Sequence, residues 1–193
     1  EALGQGGQEL VHPGHAHHAL EELLAHAGHA IGDIVAHRAA EQDGLLRDDG
    51  EVAAEGAQVT IGDVNDAGLA ETASMMARPA RIVPYDAVDH ASCHRLVAAA
   101  AESGLDVVCN IGGIHDWGPS PAFDESRFER SIAINLTSLF AICRTALPHL
   151  VESGGNIVNV ASAAGMVGVA YNAAYCAAKH GVIGLTKSLA VEF

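Results

Sequence analysis

The chain has 193 residues, of which 49% are hydrophobic and 18% charged, and its formal charge is −14. That length and hydrophobic content suit one globular domain with a sizeable core and argue against disorder. The acidic balance disfavours nucleic acid or an anionic membrane as a partner, because both attract basic surfaces.

Residues 1–24 form an irregular segment rich in glycine and histidine, and residues 25–193 are predicted to form the folded domain. The amino terminus lacks a signal-peptide pattern and no run reaches about 18 apolar residues, which predicts a cytoplasmic protein without a membrane partner. Seven histidines precede residue 40, namely His12, His15, His17, His18, His26, His29 and His37. Imidazole is a common metal ligand, but no carboxylate or cysteine completes a recognised constellation, so no metal site is predicted.

From residue 56 onward, short β-rich runs alternate with helical patterns. Strands are predicted at Gln58–Ile61, Ala80–Tyr85, Leu105–Cys109 and Asn156–Val160, the last of which is expected to be buried. Helices are predicted at Ala67–Ala77, Ala91–Ser103, Asp124–Pro148 and from about Ala173 onward. This alternation predicts a single α/β domain with a doubly wound, Rossmann-like parallel sheet and right-handed crossovers. Sites in such sheets lie at the carboxyl ends of the strands, where Asp63, Asp86, Asn110 and Ser162 fall.

An acid, Asp63, ends the strand after residue 58. A carboxylate at this point of a Rossmann unit can accept hydrogen bonds from ribose hydroxyls and repels a 2′-phosphate. Because no arginine or lysine follows it directly, the pattern favours NAD over NADP. The alternative is an aspartate that only begins a loop.

The four cysteines, Cys93, Cys109, Cys143 and Cys176, show no metal-ligand spacing and lie in apolar surroundings. They are predicted to be free, buried thiols. Cys176 adjoins a tyrosine, yet the sequence places no histidine to activate it as a nucleophile.

Three polar residues near the carboxyl end point to proton chemistry. Ser162 follows a strand, while Tyr175 and Lys179 lie four residues apart on a helix and therefore share one face. A cation one turn away favours the phenolate and lowers its pKa from about 10. Tyr175 could then exchange a proton with an alcohol or carbonyl oxygen to which Ser162 donates a hydrogen bond. The pattern YxxxK alone is common by chance on an alanine-rich helix.

Together these residues resemble the active-site segment of the short-chain dehydrogenase/reductase family, in which a serine follows a strand of the type IVNVxS and YxxxK lies on the next helix. Other matches follow in family order from about Ala57 to Phe193. The resemblance implies an NAD-dependent oxidoreductase that moves hydride between the cofactor and a secondary alcohol or ketone. It also implies a homodimer or homotetramer, built through the long helices.

The resemblance gives each catalytic residue a role. Tyr175 is the general acid/base, Lys179 lowers its pKa and binds the nicotinamide ribose, and Ser162 polarises the substrate oxygen. Asn135, within INLTS, supports a proton relay to solvent. The alternative for Asn135 is a surface asparagine or one that kinks a helix.

Cofactor residues also follow from the resemblance. Asn110, Gly112 and Gly113 match the family's NNAG, and Asp86 matches an acid that contacts adenine, with a simple turn role as its alternative. Ile31 and Gly32 match the end of the glycine loop TGxxxGxG, which would open a helix within Ala25–Ala40. The earlier loop positions are replaced, so an ordinary helix is the alternative. The predicted cofactor-binding set is Ile31, Gly32, Asp63, Asp86, Asn110, Gly112, Gly113, Tyr175 and Lys179.

Family members usually continue with another helix and two strands beyond the point that matches Phe193, so the carboxyl-terminal part of the fold is expected to be truncated here. The loop from His115 to Phe123, which carries Trp117, is expected to line a substrate pocket. Because the glycine loop is irregular and the cap is absent, an inactive dinucleotide-binding or oligomerisation module is the alternative function.

Overall fold

One parallel sheet organises the protein. The computed structural model describes residues 56–76 and 78–193, together with the backbone of residues 34–37. The five strands are β1 (Ile34–His37), β2 (Val59–Asp63), β3 (Arg81–Pro84), β4 (Val107–Asn110) and β5 (Asn156–Asn159). They are ordered β3, β2, β1, β4, β5, and every neighbouring pair is parallel. Strands added on both sides of β1 give the doubly wound α/β arrangement predicted from the alternation.

Polar caps determine where most of the described helices begin. The helices are α1 (Asp66–Met75), α2 (His90–Ala100), α3 (Glu125–Ile132), α4 (Ser138–Ser153) and α5 (Ala173–Glu192), and a π-helical turn, Ala133–Thr137, joins α3 to α4. The side chains of Asn65, Asp89 and Asp124 accept backbone N–H bonds at the starts of α1, α2 and α3. These caps satisfy donors that a first helical turn leaves unpaired.

The core lies on both faces of the sheet. Along β4, Val107 and Cys109 pack with the apolar residues of β2 and α1, whereas Val108 packs with those of α2 and α4. Successive side chains of a strand point to opposite faces, so both faces of β4 are covered. Burial of each large apolar side chain stabilises the fold by roughly 1.5–3 kcal/mol.

The helical stretch Glu125–Ser153 is long and apolar enough to cross a membrane by length and composition alone. Of the 18 consecutive residues that are most apolar in this stretch, 50% are buried inside the fold. Ile142 and Ala146 on this stretch are fully buried against α2 and β4. The apolar character of the stretch therefore serves the core.

The structure corrects two predictions about strands. Ile34–His37 was expected to lie in a helix, but it pairs with β2 on one side and β4 on the other. In that position, backbone N–H and C=O groups of three neighbouring strands are paired in hydrogen bonds. These bonds outweigh the local helix propensity of the segment. β5 was expected to be buried, but it is exposed at Asn156 and half-buried at its other residues, since it is an edge of the described sheet.

The segment predicted to bind pyrophosphate precedes β1. Ile31 and Gly32 lie outside the described residues. Their assignment required a strand before them and a helix after them, whereas a strand begins at Ile34. Their cofactor role stays a prediction, and one of its premises, the following helix, is wrong.

Candidate active site

The chain after β5 and the start of α5 carry the three predicted catalytic residues. Ser162 lies three residues after the end of β5, and Tyr175 and Lys179 lie in the first two turns of α5. Tyr175 is half-buried, whereas only 3% of Lys179 is exposed. The Lys179 Nζ atom lies 5.7 Å from the centre of the Tyr175 ring. The predicted helix and the shared face of these two residues are thus present.

The ammonium of Lys179 is anchored to the chain that leaves β5. Its Nζ donates a 2.9 Å hydrogen bond to the carbonyl oxygen of Val160. Burial lowers the pKa of Lys179 to about 8, because water no longer solvates the charged form. An ammonium has three N–H donors, so two more can serve a ligand.

Ser162 begins a short turn that packs against α5. Its Oγ accepts a 3.2 Å hydrogen bond from Ala164 N and caps the 3₁₀ turn Ala163–Gly165. A hydroxyl that accepts one bond still carries a hydrogen to donate. Ser162 can therefore donate a hydrogen bond to an oxygen placed near the start of α5.

Asn135 is fully buried, at 1% exposure, within the π-helical turn. Its Oδ1 accepts from Ile114 N and its Nδ2 donates to Ile114 O, each at 2.9 Å. Nδ2 also donates to the carbonyl oxygen of Ser131 at 3.0 Å. The side chain thus fastens the loop after β4 to the helix, and the alternative of a surface asparagine is wrong.

Gly113 lies where this loop approaches the lysine. A methyl group on Gly113 would overlap Asn135 Oδ1 and would lie 3.7 Å from Lys179 Nζ. Glycine is required at such a close approach because any side chain would displace a neighbour. The loop after β4, the π turn and α5 therefore meet around the Lys179 ammonium.

His115 was not singled out individually from the sequence. Its ring contacts Tyr175 edge-on, with centroids 4.9 Å apart and planes at 68°. Its Nε2 makes a hydrogen bond with the Oδ1 of Asn172, which precedes α5. The available signal was positional, since loops after the carboxyl ends of parallel strands meet at one edge of the sheet.

The predicted cofactor residues of β2, β3 and β4 also lie at this edge. Asp63 ends β2, Asp86 follows β3, and Asn110 ends β4 just before Gly112 and Gly113. Their location is as predicted, while their roles toward a cofactor stay predictions.

Two of these residues already have structural roles. Asp63 is buried, and its Oδ1 accepts from Asn65 N at 2.8 Å. Asp86 Oδ1 accepts from Val88 N at 3.0 Å, so the carboxylate holds the turn before α2, and Asp86 is exposed. That bond supports the simple turn role for Asp86.

The edge fits a dinucleotide by its donors and acceptors. Asn110 Nδ2 donates to Asn159 Oδ1 at 2.8 Å, but Asn110 Oδ1 is buried without a hydrogen-bond partner among the described residues. A buried acceptor without a partner carries a desolvation cost that a ligand donor can remove. This acceptor, the glycines after β4 and the two remaining Lys179 donors are groups of the kind that the hydroxyls and amide of such a cofactor require.

The four cysteines are free thiols. Cys93, Cys109 and Cys143 are buried as predicted, whereas Cys176 is half-buried. Burial raises the pKa of Cys143 to about 11, which keeps that thiol protonated. Residues 56–76 and 78–193 contain no group of three histidine, cysteine or acidic side chains that could hold a metal ion.

Known proteins match this chain in sequence. A profile of the family described as short chain dehydrogenase matches residues 50–193. A 2,5-dichloro-2,5-cyclohexadiene-1,4-diol dehydrogenase of Sphingobium indicum is 38% identical over 151 residues, which cover 73% of this chain and 59% of the relative. A 2-dehydro-3-deoxy-L-rhamnonate dehydrogenase (NAD(+)) of a Sphingomonas species is 39% identical over 145 residues, covering 73% and 58%.

A solved structure also superposes on the fold. An actinorhodin polyketide ketoreductase variant with NADPH matches with a TM-score of 0.76 and 28% identity, covering 83% of this chain and 64% of the other. The chain spans just under three fifths of the length of the two curated relatives.

Proposed function

This chain belongs to the short-chain dehydrogenase family, and from that premise we propose that it catalyses hydride transfer between a nicotinamide dinucleotide and a secondary alcohol or ketone. The observation that carries the proposal is the position of the Lys179 ammonium, which lies 5.7 Å from the centre of the Tyr175 ring and donates to the carbonyl oxygen of Val160, two residues before Ser162. A hydroxyl donor, a phenol and an ammonium are the groups needed to hold an oxygen and move its proton.

In the direction of alcohol oxidation, the Tyr175 phenolate accepts the hydroxyl proton while the carbinol carbon gives up hydride. Ser162 donates a hydrogen bond to the same oxygen and positions it. The Lys179 ammonium is proposed to stabilise the phenolate, since its Nζ lies 5.7 Å from the centre of the ring, and its two further N–H groups would hold the nicotinamide ribose. The bound dinucleotide supplies the hydride acceptor or donor.

Asn135 contributes by holding the loop that carries Gly113 beside Lys179. Its backbone carbonyl is proposed to take part in a proton relay to solvent. In ketone reduction the same groups act in reverse, since Tyr175 then donates the proton.

We propose NAD as the preferred cofactor. The Asp63 carboxylate ends β2, and no lysine or arginine lies between it and Gly68. A carboxylate here accepts hydrogen bonds from ribose hydroxyls and repels a 2′-phosphate. One relative is named for NAD(+) and one structural neighbour contains NADPH, so direct measurement on this chain is required.

The substrate is proposed to be a small alcohol or ketone, and the diol named for one relative supports this class. The homodimer or homotetramer and the cytoplasmic location stay predictions from the sequence. Light scattering of the purified protein measures the first of these.

Titration of NADH fluorescence, followed by turnover assays on cyclic and acyclic secondary alcohols, tests the proposal. Binding together with alcohol-dependent NADH formation is expected. Failure to bind NADH at millimolar concentration would contradict the cofactor site. Binding without turnover of any alcohol or ketone would favour the inactive binding module instead.

A further inference from the structure

Two loops meet over the Tyr175 ring. His115 lies in the segment after β4, and Asn172 is the cap residue of α5, three positions before Tyr175. A hydrogen bond joins His115 Nε2 to Asn172 Oδ1. A second bond, 2.8 Å long, runs from Gly118 N to Tyr171 O. The loop after β4 is thus fastened at two adjacent points to the chain that begins α5.

The first bond has a defined direction. Asn172 Nδ2 donates to Ala170 O at 2.9 Å, which turns the amide so that its oxygen faces the imidazole. An amide oxygen only accepts, so His115 must carry a hydrogen on Nε2. The bond therefore selects one imidazole tautomer and one ring orientation.

The backbone beside the second bond is strained. Tyr171 has a φ of 65°, in the left-handed region that bulky residues rarely adopt. The residue is 61% exposed, so core packing does not hold it there. The bond from Gly118 and the neighbouring pair of His115 and Asn172 hold this conformation in place. Strain of this kind is retained where surrounding contacts fix the backbone, often beside functional groups.

His115 also contacts the ring of Tyr175 directly. The edge-on contact with His115 and the ammonium of Lys179 are the two ring interactions that the described part of the chain gives Tyr175. Asn172 also accepts the bond from Cys176 N with its backbone oxygen at 2.8 Å, in the first turn of α5. Movement of His115 or Asn172 would therefore displace the Tyr175 ring.

We infer that His115, clasped by Asn172, is a positioning residue that holds the Tyr175 phenol in the orientation required for proton transfer. This inference rests on the proposed function for its kinetic consequence. A misplacement of about 1 Å at a reacting group can cost on the order of 100-fold in rate. A residue that only contacted substrate would instead change KM.

The kinetic test compares His115→Ala with His149→Ala, which removes an exposed histidine on α4. His115→Ala is expected to lower kcat about 10- to 100-fold, with NADH affinity within about twofold of the parent. Asn172→Leu is expected to lower kcat similarly, whereas Asn172→Asp, which keeps an acceptor oxygen, should restore most of it. A raised KM with unchanged kcat, or unchanged kinetics, would overturn the inference.

A second readout does not depend on turnover. The chain contains 3 tyrosines, so ring-labelled tyrosine gives a spectrum that single Tyr→Phe variants can assign. Asn172→Leu, which removes the amide but leaves the His115 ring, should shift or broaden the Tyr175 signal and leave the buried Tyr85 signal unchanged. A Tyr175 signal that stays unchanged would show that the pair of His115 and Asn172 does not position the Tyr175 ring. If this signal changes but no alcohol is oxidised, the proposed function is wrong, while the positioning of the Tyr175 ring by His115 and Asn172 is supported.

Discussion

The Nζ atom of Lys179 donates a 2.9 Å hydrogen bond to the carbonyl oxygen of Val160, two residues before Ser162. This bond joins α5 to the chain leaving β5, which carries Ser162 two residues later. The turn that Ser162 caps packs against the same helix, since a methyl group on Gly165 would lie 2.7 Å from Lys179 O. The distance between β5 and α5 therefore sets the geometry of the site.

Substitution of Gly165 by alanine should separate these elements. The new methyl group would also lie 3.0 Å from Ile183 Cδ1, and the backbone contact with Lys179 cannot yield as a flexible side chain can. Overpacking of this kind costs about 1–3 kcal/mol, and we expect kcat/KM to fall at least about 10-fold. Urea denaturation and steady-state kinetics measure the two effects. Gly168→Ala is the control, because nothing lies within 4 Å of its added methyl group; equal losses in both variants would contradict the prediction.

Removal of the Tyr175 hydroxyl should abolish turnover and leave cofactor binding nearly intact. Tyr175→Phe keeps the ring that contacts His115 but has no proton to exchange, and such a loss costs about 100-fold or more. NADH affinity by fluorescence should stay within about twofold of the parent. Tyr171→Phe removes an exposed phenol four residues away and should keep its activity. If Tyr175→Phe remains fully active, the general acid/base is another group.

The burial of Lys179 should appear in the pH dependence of stability. Its pKa is about 8 in the folded protein, below the ordinary value of 10.5, so the unfolded chain binds more protons between these limits. Burial of the charged ammonium therefore lowers the free energy of unfolding by its full amount below pH 8. This cost becomes smaller as the pH rises from about 8 to 10.5. The shift of the Lys179 pKa corresponds to a cost of about 3 kcal/mol in the free energy of unfolding.

Lys179→Met removes that cost and should abolish activity. The stability gain relative to the parent, from urea denaturation, should be largest below pH 8 and should shrink as the pH rises to 10.5. Lys187→Met, at an exposed position of the same helix, provides the control and should show no such trend. A gain that does not vary with pH would indicate that Lys179 is not desolvated.

The carboxylate of Asp63 should control the choice of cofactor. Asp63→Asn keeps an oxygen for the bond from Asn65 N but removes the charge that repels a 2′-phosphate. The preference for NADH over NADPH, measured as a ratio of dissociation constants, should fall about 10-fold. Asp66→Asn changes an exposed acid at the start of α1 and should leave the ratio unchanged. An unaltered ratio in Asp63→Asn would remove Asp63 from the proposed NAD site.

A polar network under the active site should contribute measurably to stability. Asn159 on β5 accepts from Asn110 and donates to Thr186 Oγ1 on α5 at 3.0 Å. Thr186→Val leaves the Asn159 amide without that acceptor and should lower the free energy of unfolding by about 1–3 kcal/mol. Thr145→Val should cost less, because within residues 56–76 and 78–193 the Thr145 hydroxyl bonds only to a carbonyl of its own helix. Equal costs would show that the Asn159 bond contributes nothing.

Local patterns predicted much of the fold. The alternation of strands and helices after residue 56, the four-residue spacing of Tyr175 and Lys179, and the position of Asp63 at a strand end all follow from short stretches of sequence. Each depends on the period of one element or on a polar residue at its end, and such features are encoded within about ten residues.

Other features depended on residues distant in the chain. Ile34–His37 forms β1 because β2 and β4 supply partners on both sides, and no local pattern contains that pairing. Asn135 is buried in its π turn because Ile114 of another loop satisfies its amide. The sequence by itself predicted which residues would carry proton chemistry and determined which elements hold them. Only the tertiary structure decided that His115 and Asn172 lie beside the Tyr175 ring, because they belong to separate loops that the parallel sheet brings together at its carboxyl edge.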